Sequence, residues 1–313
     1  MFNKLSTKTL IILFSVLLLI VVVFLLYDSQ HGERSFRSDI ISIDTSKVTS
    51  INIYPKQNNH KLVKIFKEGN YWKINLDNNK TADVPHQKVE NIFRELLSIK
   101  ALSVAALGKN KWKEFQVDDT SGTKIKVFEN GNNTLDLTIG KFAFQRPKSI
   151  FTYVRVGDDE NVYKINGMPG FTLNQDVNYF RNGRIINDNF SHWSKLNFTY
   201  PADSSFVLEK KNKNWMAGSR DVDSAEVANY LVSISNLTSQ NFVDSLDQKI
   251  LSKASYTLTI NSSSKGGITV AGFEGSGKIL LHSTTNPEAY FDGSKNDLLK
   301  KIFVGRGKFF KKR

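Results

Sequence analysis

A glycine-rich segment of this chain has spacing that could support phosphate chemistry. Gly272–Lys278 has the G-x-x-x-x-G-K spacing with which a phosphate-binding loop begins. That loop needs a Ser or Thr next, to hold magnesium, and a helix whose N-terminus faces the phosphate. Ile279 follows here, and residues 279–282 are typical of a strand. We therefore predict a glycine-rich hairpin turn at this place.

Two acidic clusters have residue types that could hold a divalent ion. Asp221 and Asp223 form a D-x-D pair, as in nucleotide-sugar enzymes. The pair stands just before a predicted helix with Glu226 three residues on, so helix capping is the better interpretation. Asp158–Glu160 lies between two predicted strands. It lacks the spaced ligands and the glycine of a calcium loop, which indicates a hairpin tip.

Other residue types give no pattern of catalysis or metal binding. The five histidines are scattered along the chain: His31, His60, His86, His192 and His282. None is paired at ligand spacing with another histidine or with a carboxylate, so no zinc site is predicted. Serine is abundant, but there is no G-x-S-x-G elbow. The absence of cysteine excludes disulfides, thiol catalysis and thiolate metal sites. We predict no catalytic, cofactor-binding or metal-binding residue and no cofactor.

The four tryptophans fall into two groups. Trp72 and Trp215 occupy matching places in the two halves of the chain. An aromatic residue that recurs at one place in a repeat is interpreted as a core residue rather than a ligand platform. Trp112 and Trp193 lie in polar linkers. They are the better candidates for exposed contact residues.

The N-terminal segment predicts a membrane anchor. Residues 9–27 carry no charge, and as a helix they would extend about 28 Å, close to the hydrocarbon thickness of a bilayer. The apolar run is longer than that of a cleaved signal peptide, and no small-x-small cleavage pattern follows it. We predict an uncleaved single-pass signal anchor over residues 1–27. Lys4 and Lys8 before the run and Asp28 after it favour an N-terminus inside and a body outside the membrane.

The chain is strongly basic. Its formal net charge is +13, which would draw the body to anionic headgroups of the lipid bilayer or to an acidic partner or polymer. Nucleic acid fits the charge but requires the opposite topology, and no reader motif accompanies it. No GxxxG motif is present in the apolar segment, so self-dimerisation has no strong signal.

The elements that would position these residues follow one plan twice. Alternation of apolar and polar residues predicts strands at Val48–Tyr54, Lys61–Lys67 and Tyr71–Ile74. Asp83 is the predicted N-cap of a helix that opens near Pro85. The helix has one apolar stripe, formed by Val89, Ile92, Phe93, Leu96 and Leu97.

The second half repeats this order. Strands are predicted at Lys195–Tyr200 and Ser205–Lys210, followed by a helix that Asp223 opens. The stripe of that helix consists of Val227, Tyr230, Leu231 and Ile234. Further strands follow each helix. The predicted fold class is α+β, with an N-terminal transmembrane helix followed by two repeated antiparallel sheet-plus-helix lobes. The predicted boundaries are 1–27 for the anchor, 28–46 for a linker, 47–190 for the first lobe and 191–313 for the second.

The order of several short motifs points to a family. The motifs are Lys67–Trp72, Leu137–Lys141, Tyr153–Arg155, Val162–Tyr163 and Arg181-Asn182. In this order and spacing the chain resembles the bacterial domain-of-unknown-function family 4340. The resemblance covers roughly residues 45–245, and no single motif in it is specific. It implies a membrane-anchored protein, often encoded beside ABC-type transporter subunits, including gliding-associated ones.

Two functions from different classes remain open. The preferred one is a non-catalytic, membrane-anchored accessory subunit of an ABC-type transporter. Its body would lie on the periplasmic side of a bacterial inner membrane, and its partners would be the transporter's membrane subunit and ATPase. The alternative is an envelope enzyme or binding protein that acts on glycan or lipid. An enzyme needs convergent carboxylates in one concave site, for instance some of Asp221, Asp223, Glu226 and Asp292.

Overall fold

The structure is a computed structural model, and it describes a large part of the chain. The described residues are Lys8, 13–23, 38–145, 149–212, 214–246, 250–275 and 277–310. They form mostly two large antiparallel sheets. The chain divides into two compact units, one from residues 1–62 and 91–174 and the other from residues 63–90 and 175–313. The lobes predicted at 47–190 and 191–313 stay a prediction of domain organisation.

The predicted N-terminal transmembrane helix is wrong. Residues 13–23 are helical (α1), and their side chains are exposed. No helix within the described residues is long and apolar enough to cross a membrane. The rest of segment 9–27 lies outside the described residues. The fold class is therefore corrected to two antiparallel sheets with helices, without a transmembrane helix among the described residues. The membrane, single-pass and signal-anchor predictions are wrong for the same reason.

The strands and helices have the following bounds. The strands are β1 Val48–Tyr54, β2 Val63–Glu68, β3 Tyr71–Asn75, β4 Thr81–Val84, β5 Ala101–Ala106, β6 Thr123–Glu129, β7 Asn132–Gln145, β8 Ser149–Val156, β9 Val162–Asn166, β10 Trp193–Thr199, β11 Phe206–Lys211, β12 Asn214–Ala217, β13 Arg220–Asp221, β14 Tyr256–Ser262, β15 Gly266–Gly275, β16 Lys278–Ser283 and β17 Asn286–Asp292. The α-helices after α1 are α2 His86–Ser98, α3 Trp112–Phe115, α4 Gly170–Leu173, α5 Val177–Phe180, α6 Ser224–Ser235 and α7 Leu298–Ile302. Single 3₁₀ turns lie at Lys56–Asn58, Asp77–Asn79, Lys109–Lys111, Phe190–His192, Ala202–Ser204, Ile250–Ser252, Lys295–Asp297 and Arg306–Phe309.

The first unit contains six antiparallel strands in the order β1-β6-β7-β8-β9-β5. Their alternating residues place one apolar face inward, as the period of two requires. Ile53 of β1 lies opposite Ile125 of β6, and Ile125 lies opposite Leu137 of β7. All three side chains are fully buried. The register therefore follows the hydrophobic pattern that the sequence displays.

The second unit contains an eight-stranded antiparallel sheet in the order β13-β12-β11-β10-β14-β15-β16-β17, together with the series β4-β3-β2. Helix α6 buries the predicted stripe of Val227, Tyr230, Leu231 and Ile234 in the core of this sheet. Phe198 of β10 stacks on Phe206 of β11 with ring centroids 4.4 Å apart. The chain end contributes Phe309, whose ring meets that of Tyr230 edge-on at 5.3 Å. This aromatic core holds the sheet that carries the candidate site.

Most of the predicted strands and helices are present, with corrections to some strand bounds, to one helix cap and to one apolar stripe. Strand β1 has the predicted bounds, whereas β2 begins at Val63 rather than at Lys61. Asp83 is not an N-cap, because it lies within β4 and its carboxylate pairs with Lys73 at 2.7 Å. On α2 the predicted stripe is buried except for Phe93, which is half-buried, and Leu97, which is 44% exposed.

Candidate functional site

A loop after α5 and the segment after α6 form the frame of the candidate site in the second unit. The N–H of Ile185 donates to the carbonyl oxygen of Leu237 at 2.8 Å, and the N–H of Ser239 donates to that of Gly183 at 2.8 Å. A Cβ on Gly183 would lie 2.3 Å from the Ser239 carbonyl oxygen, so only glycine lets the two backbones approach so closely. Since Ile185 is fully buried, the core anchors this loop and holds its polar residues at the surface.

Two adjoining cavities open beside this loop, and together we call them the unit 2 groove. The first, of about 350 Å³, is lined by Asn182, Arg184, Asn187, Lys265, Gly267 and Thr284 among others. The second, of about 470 Å³, is lined by Asn187, Asp188, Asn189, Phe190, Asn236 and Lys265 among others. Asn187 and Lys265 line both cavities, so the two cavities adjoin.

The first cavity is electropositive. Neither Arg184 nor Lys265 has a hydrogen-bond or ion-pair partner for its side chain within the part of the chain that the structure describes. No described carboxylate lines this cavity. Burial lowers the pKa of Lys88, and the charge of Arg184 lowers it further. The groove therefore presents positive charge that the described protein groups leave uncompensated.

Asp188 is the carboxylate of the second cavity, and hydrogen bonds from the protein saturate it. Its oxygens accept from Asn189 N at 2.9 Å, Trp193 Nε1 at 2.8 Å, Ser262 Oγ at 2.5 Å and Ser264 Oγ at 2.7 Å. Burial alone would raise the pKa of Asp188, but these hydrogen bonds outweigh burial and lower the pKa from 3.8 to about 2. A carboxylate held so firmly ionised is a structural acceptor and a poor proton donor or base near neutral pH.

Two histidines lie beside carboxylates, a pairing that the sequence analysis did not recognise. His192 Nδ1 is 3.6 Å from an oxygen of Asp188, and His86 Nε2 is 3.3 Å from an oxygen of Glu90. Both pairs are four residues apart, a spacing that brings side chains together on a helical turn. The Asp188 pair is not a catalytic triad, because the hydroxyl of Ser262 donates to the carboxylate directly and not to the histidine. No group of three potential metal ligands occurs in the described residues.

The carboxylates named for an enzyme have structural roles. Asp223 caps α6 and accepts from two backbone N–H groups of its first turn, so the capping prediction is confirmed. Asp221 and Glu226 are exposed. Burial raises the pKa of Asp292, but hydrogen bonds from Ser294 outweigh it and lower the pKa overall. The lowered pKa of Asp292 is the opposite of what general acid catalysis near neutral pH uses.

The two turn predictions are confirmed. Gly272 lies inside β15, and Gly277, with φ of +72°, begins the turn into β16. The glycine-rich segment is thus a hairpin, and no helix follows it to face a phosphate. Asp158–Glu160 lies in the connection between β8 and β9, as predicted for a hairpin tip.

The tryptophans differ from their predicted roles in part. Trp72 is 6% exposed in β3, which confirms a core residue, and Trp215 is half-buried at the same position in β12. Trp193 is 1% exposed and lies in β10, so it is not the exposed contact residue for which it was a candidate. Its indole is buried because Nε1 finds an acceptor in Asp188. Trp112 is half-buried in the first unit. The guanidinium carbon of Arg155, a residue of the same unit, stacks on its ring at 4.0 Å from the ring centroid.

Sequence reasoning missed the residues of the unit 2 groove. Arg184 and Asn187 lie about 80 positions before Lys265, and no motif or periodicity connects the three. The sequence feature nearest to the groove is Gly183, because its backbone packs closely against Ser239 and so fixes the position of the loop. Chain folding alone brings these residues together.

The family assignment rests on a comparison with known families. The profile of the domain of unknown function DUF4340 matches residues 72–259 of the chain. That segment contains β7, β8 and β9, in which three of the motifs noted in the sequence lie. No curated protein and no solved structure matches the chain. Because the match covers more than half of the sequence, the chain belongs to the DUF4340 family.

Proposed function

We propose that this chain is a non-catalytic accessory subunit of an ABC-type transporter assembly and that its unit 2 groove binds a ligand. The observation that carries the proposal is the chemistry of the groove. It contains unpartnered cations, side-chain amides and hydroxyls, whereas its carboxylate, Asp188, is saturated by donors from the protein. Such a surface can bind and orient a ligand but offers no acid–base pair.

The alternative, an envelope enzyme acting on glycan or lipid, has less support. Its carboxylates were Asp221, Asp223, Glu226 and Asp292. Asp223 caps a helix, and hydrogen bonds with Ser294 occupy Asp292. An acid–base mechanism would have to break these bonds before either group could act on a substrate.

An exposed apolar surface of the first unit supports a protein partner. Phe142 and Phe144 of β7 are 51% and 73% exposed, and their rings meet edge-on at 5.5 Å. Exposed aromatic side chains that lie together mark interaction sites more often than isolated ones do. We propose this surface, called the β7 aromatic pair, as the contact with the transporter subunits.

The proposed place of action is the outer face of a bacterial cytoplasmic membrane. The net charge of +13 favours a position near anionic lipid headgroups. This attraction requires only a basic surface, so it acts whatever holds the chain at the membrane.

A mild-detergent pull-down of the chain from its native membranes, read by mass spectrometry, tests the proposal. We expect an ABC ATPase and its membrane subunit to be recovered with the chain. The double variant Phe142→Ser and Phe144→Ser should lower that recovery, whereas Val232→Ser, which changes an apolar side chain that is 58% exposed, should not. Recovery of the chain alone, or with glycan- or lipid-handling proteins only, would contradict the proposal.

A further inference from the structure

We infer that the unit 2 groove binds an anionic saccharide, with its oxyanion between Arg184 and Lys265 and its hydroxyl groups in the adjoining cavity. This inference rests on the proposed ligand-binding function and names the class of ligand. It begins from the balance of donors and acceptors in the first cavity.

Donors outnumber acceptors in that cavity. The guanidinium of Arg184 and the ammonium of Lys265 can only donate. The Asn182 side-chain oxygen already accepts from the N–H of Arg184 at 3.2 Å, which leaves the amide NH₂ of Asn182 to donate. The Thr284 hydroxyl oxygen accepts from the N–H of Thr269 at 2.9 Å, so its hydrogen points elsewhere. A ligand that satisfies these groups must supply acceptors.

The charge of the cavity requires that the acceptor be an anion. Arg184 and Lys265 have no described acidic partner, and no described carboxylate lines the cavity. A phosphate, sulfate or carboxylate group supplies both the negative charge and several acceptor atoms, and its hydrogen bonds with Arg and Lys are charge-assisted. Arg184 and Lys265 are both exposed, so an anion can reach them from solvent.

The frame of the first cavity is rigid. The carbonyl oxygen of Asn182 accepts from the side-chain amide of Asn286 at 2.5 Å. Next to it, Gly183 pairs with Ser239, and Ile185 is fully buried. Arg184 therefore extends from a backbone fixed on both sides. Such preorganisation reduces the entropy that binding would otherwise have to overcome.

The adjoining cavity fits a polyhydroxylated group. Its polar side chains include the amides of Asn187, Asn189 and Asn236, which can both donate and accept. The oxygen of Asn189 accepts from the N–H of Ser191 at 2.9 Å, so its NH₂ is left for a ligand. Phe190 adds a half-buried aromatic side chain. Amides beside an aromatic group suit sugar hydroxyls and the apolar C–H face of a sugar ring.

Isothermal titration calorimetry of the chain at low salt tests the inference with four probes. They are glucose 6-phosphate, glucuronate, glucose and inorganic phosphate. We expect at least one of the two anionic sugars to bind about tenfold more tightly than glucose and than phosphate, because the anion and the hydroxyl groups bind in adjoining cavities. The two anionic sugars separate a phosphate-binding groove from a carboxylate-binding one.

Variants assign the binding to the groove. Arg184→Gln combined with Lys265→Gln should weaken binding of the anionic sugar by about tenfold or more. The control, Arg220→Gln combined with Lys210→Gln, removes the same charge from exposed positions outside the groove and should change the dissociation constant less than about twofold. Far-UV circular dichroism checks that both double variants fold.

A third variant fills the groove without straining the backbone. A Cβ on Gly267 would have no atom within 4 Å, and Gly267 does not have the positive φ that only glycine adopts readily. Gly267→Glu should therefore fold and should abolish binding, because its carboxylate would compete for the two cations. If neither anionic sugar binds, or if the groove variants and the control weaken binding equally, the inference is overturned. A chain that binds no sugar could still be recovered with a transporter, so the two proposals fail separately.

Discussion

Replacing Asp188 with alanine tests whether this carboxylate holds the frame of the unit 2 groove together. The change removes the carboxylate that accepts from two buried donors, Trp193 Nε1 at 2.8 Å and Ser262 Oγ at 2.5 Å, and leaves Ser262 Oγ only the neutral contact with Ser264 Oγ at 3.1 Å. Each lost hydrogen bond to a charged acceptor costs about 1.5–3 kcal/mol, so we expect the free energy of unfolding to fall by about 4 kcal/mol. Asn189 and Ser264 are exposed and can bond to water instead, so they add little.

Urea unfolding of the chain, followed by tryptophan fluorescence and far-UV circular dichroism, measures this loss. The control is Asp223→Ala, which removes a half-buried helix N-cap and should cost about 1 kcal/mol. Both variants delete one carboxylate from the second unit, so they change the net charge equally. A loss for Asp188→Ala no larger than that of the control would refute the argument that buried donors depend on Asp188.

The same carboxylate gives stability a dependence on pH. Its pKa is lowered from 3.8 to about 2 by folding, so its contribution is complete above about pH 4 and is lost as the pH falls towards 2. The shift corresponds to about 2 kcal/mol. In Asp188→Asn, the urea midpoint should fall less steeply between pH 5 and pH 3 than in the unchanged chain. Parallel pH profiles for the two proteins would contradict the assignment.

The remaining predictions concern packing in the two units. Trp72→Ala should cost about 3–5 kcal/mol of unfolding free energy in urea titrations, and Trp215→Ala less, because Trp72 is buried and Trp215 half-buried; equal losses would contradict these burial assignments. Gly183→Ala should cost about 1–3 kcal/mol, because the new methyl group would meet the Ser239 carbonyl oxygen at 2.3 Å. Gly267→Ala is its control, because a Cβ on Gly267 would have no atom within 4 Å. A similar loss of stability in both variants would show that the close approach of Gly183 to Ser239 is unimportant.

The elements that could be predicted from the sequence are those that local patterns determine. The alternation in β1 predicted its bounds correctly, because a half-buried strand must alternate. Asp223 with Glu226 predicted the start of α6, because an N-cap interacts only with the first helical turn. Gly277 predicted a turn, since glycine adopts a positive φ without strain. In each case the deciding interactions lie within a few residues.

Predictions failed where the deciding group is distant in the sequence or where composition was the only signal. Trp193 has polar neighbours and was a candidate for exposure, yet it lies in β10 opposite Ser262 of β14, 69 positions away, and this sheet buries it. The apolar run at 9–27 predicted a transmembrane helix from composition alone, and no helix within the described residues is long and apolar enough to cross a membrane.

The residues of the unit 2 groove are distant from one another in the sequence, so no local pattern predicts the groove. The balance of charge in the groove favours a ligand-binding role over a purely structural one. Every acidic side chain that we followed in the second unit, from Asp188 to Asp292, has hydrogen-bond donors in its surroundings or is exposed to water. The charge of Arg184 instead repels Lys88, and burial together with this charge lowers the pKa of Lys88. Arg184 has no acidic partner among the described residues. Like charges held together on a rigid frame oppose folding. A neighbouring Asp or Glu would remove that penalty, but it would also neutralise the cavity and compete with any anion. The uncompensated pair of Arg184 and Lys265 is therefore the arrangement expected of a site whose counter-charge arrives with its ligand.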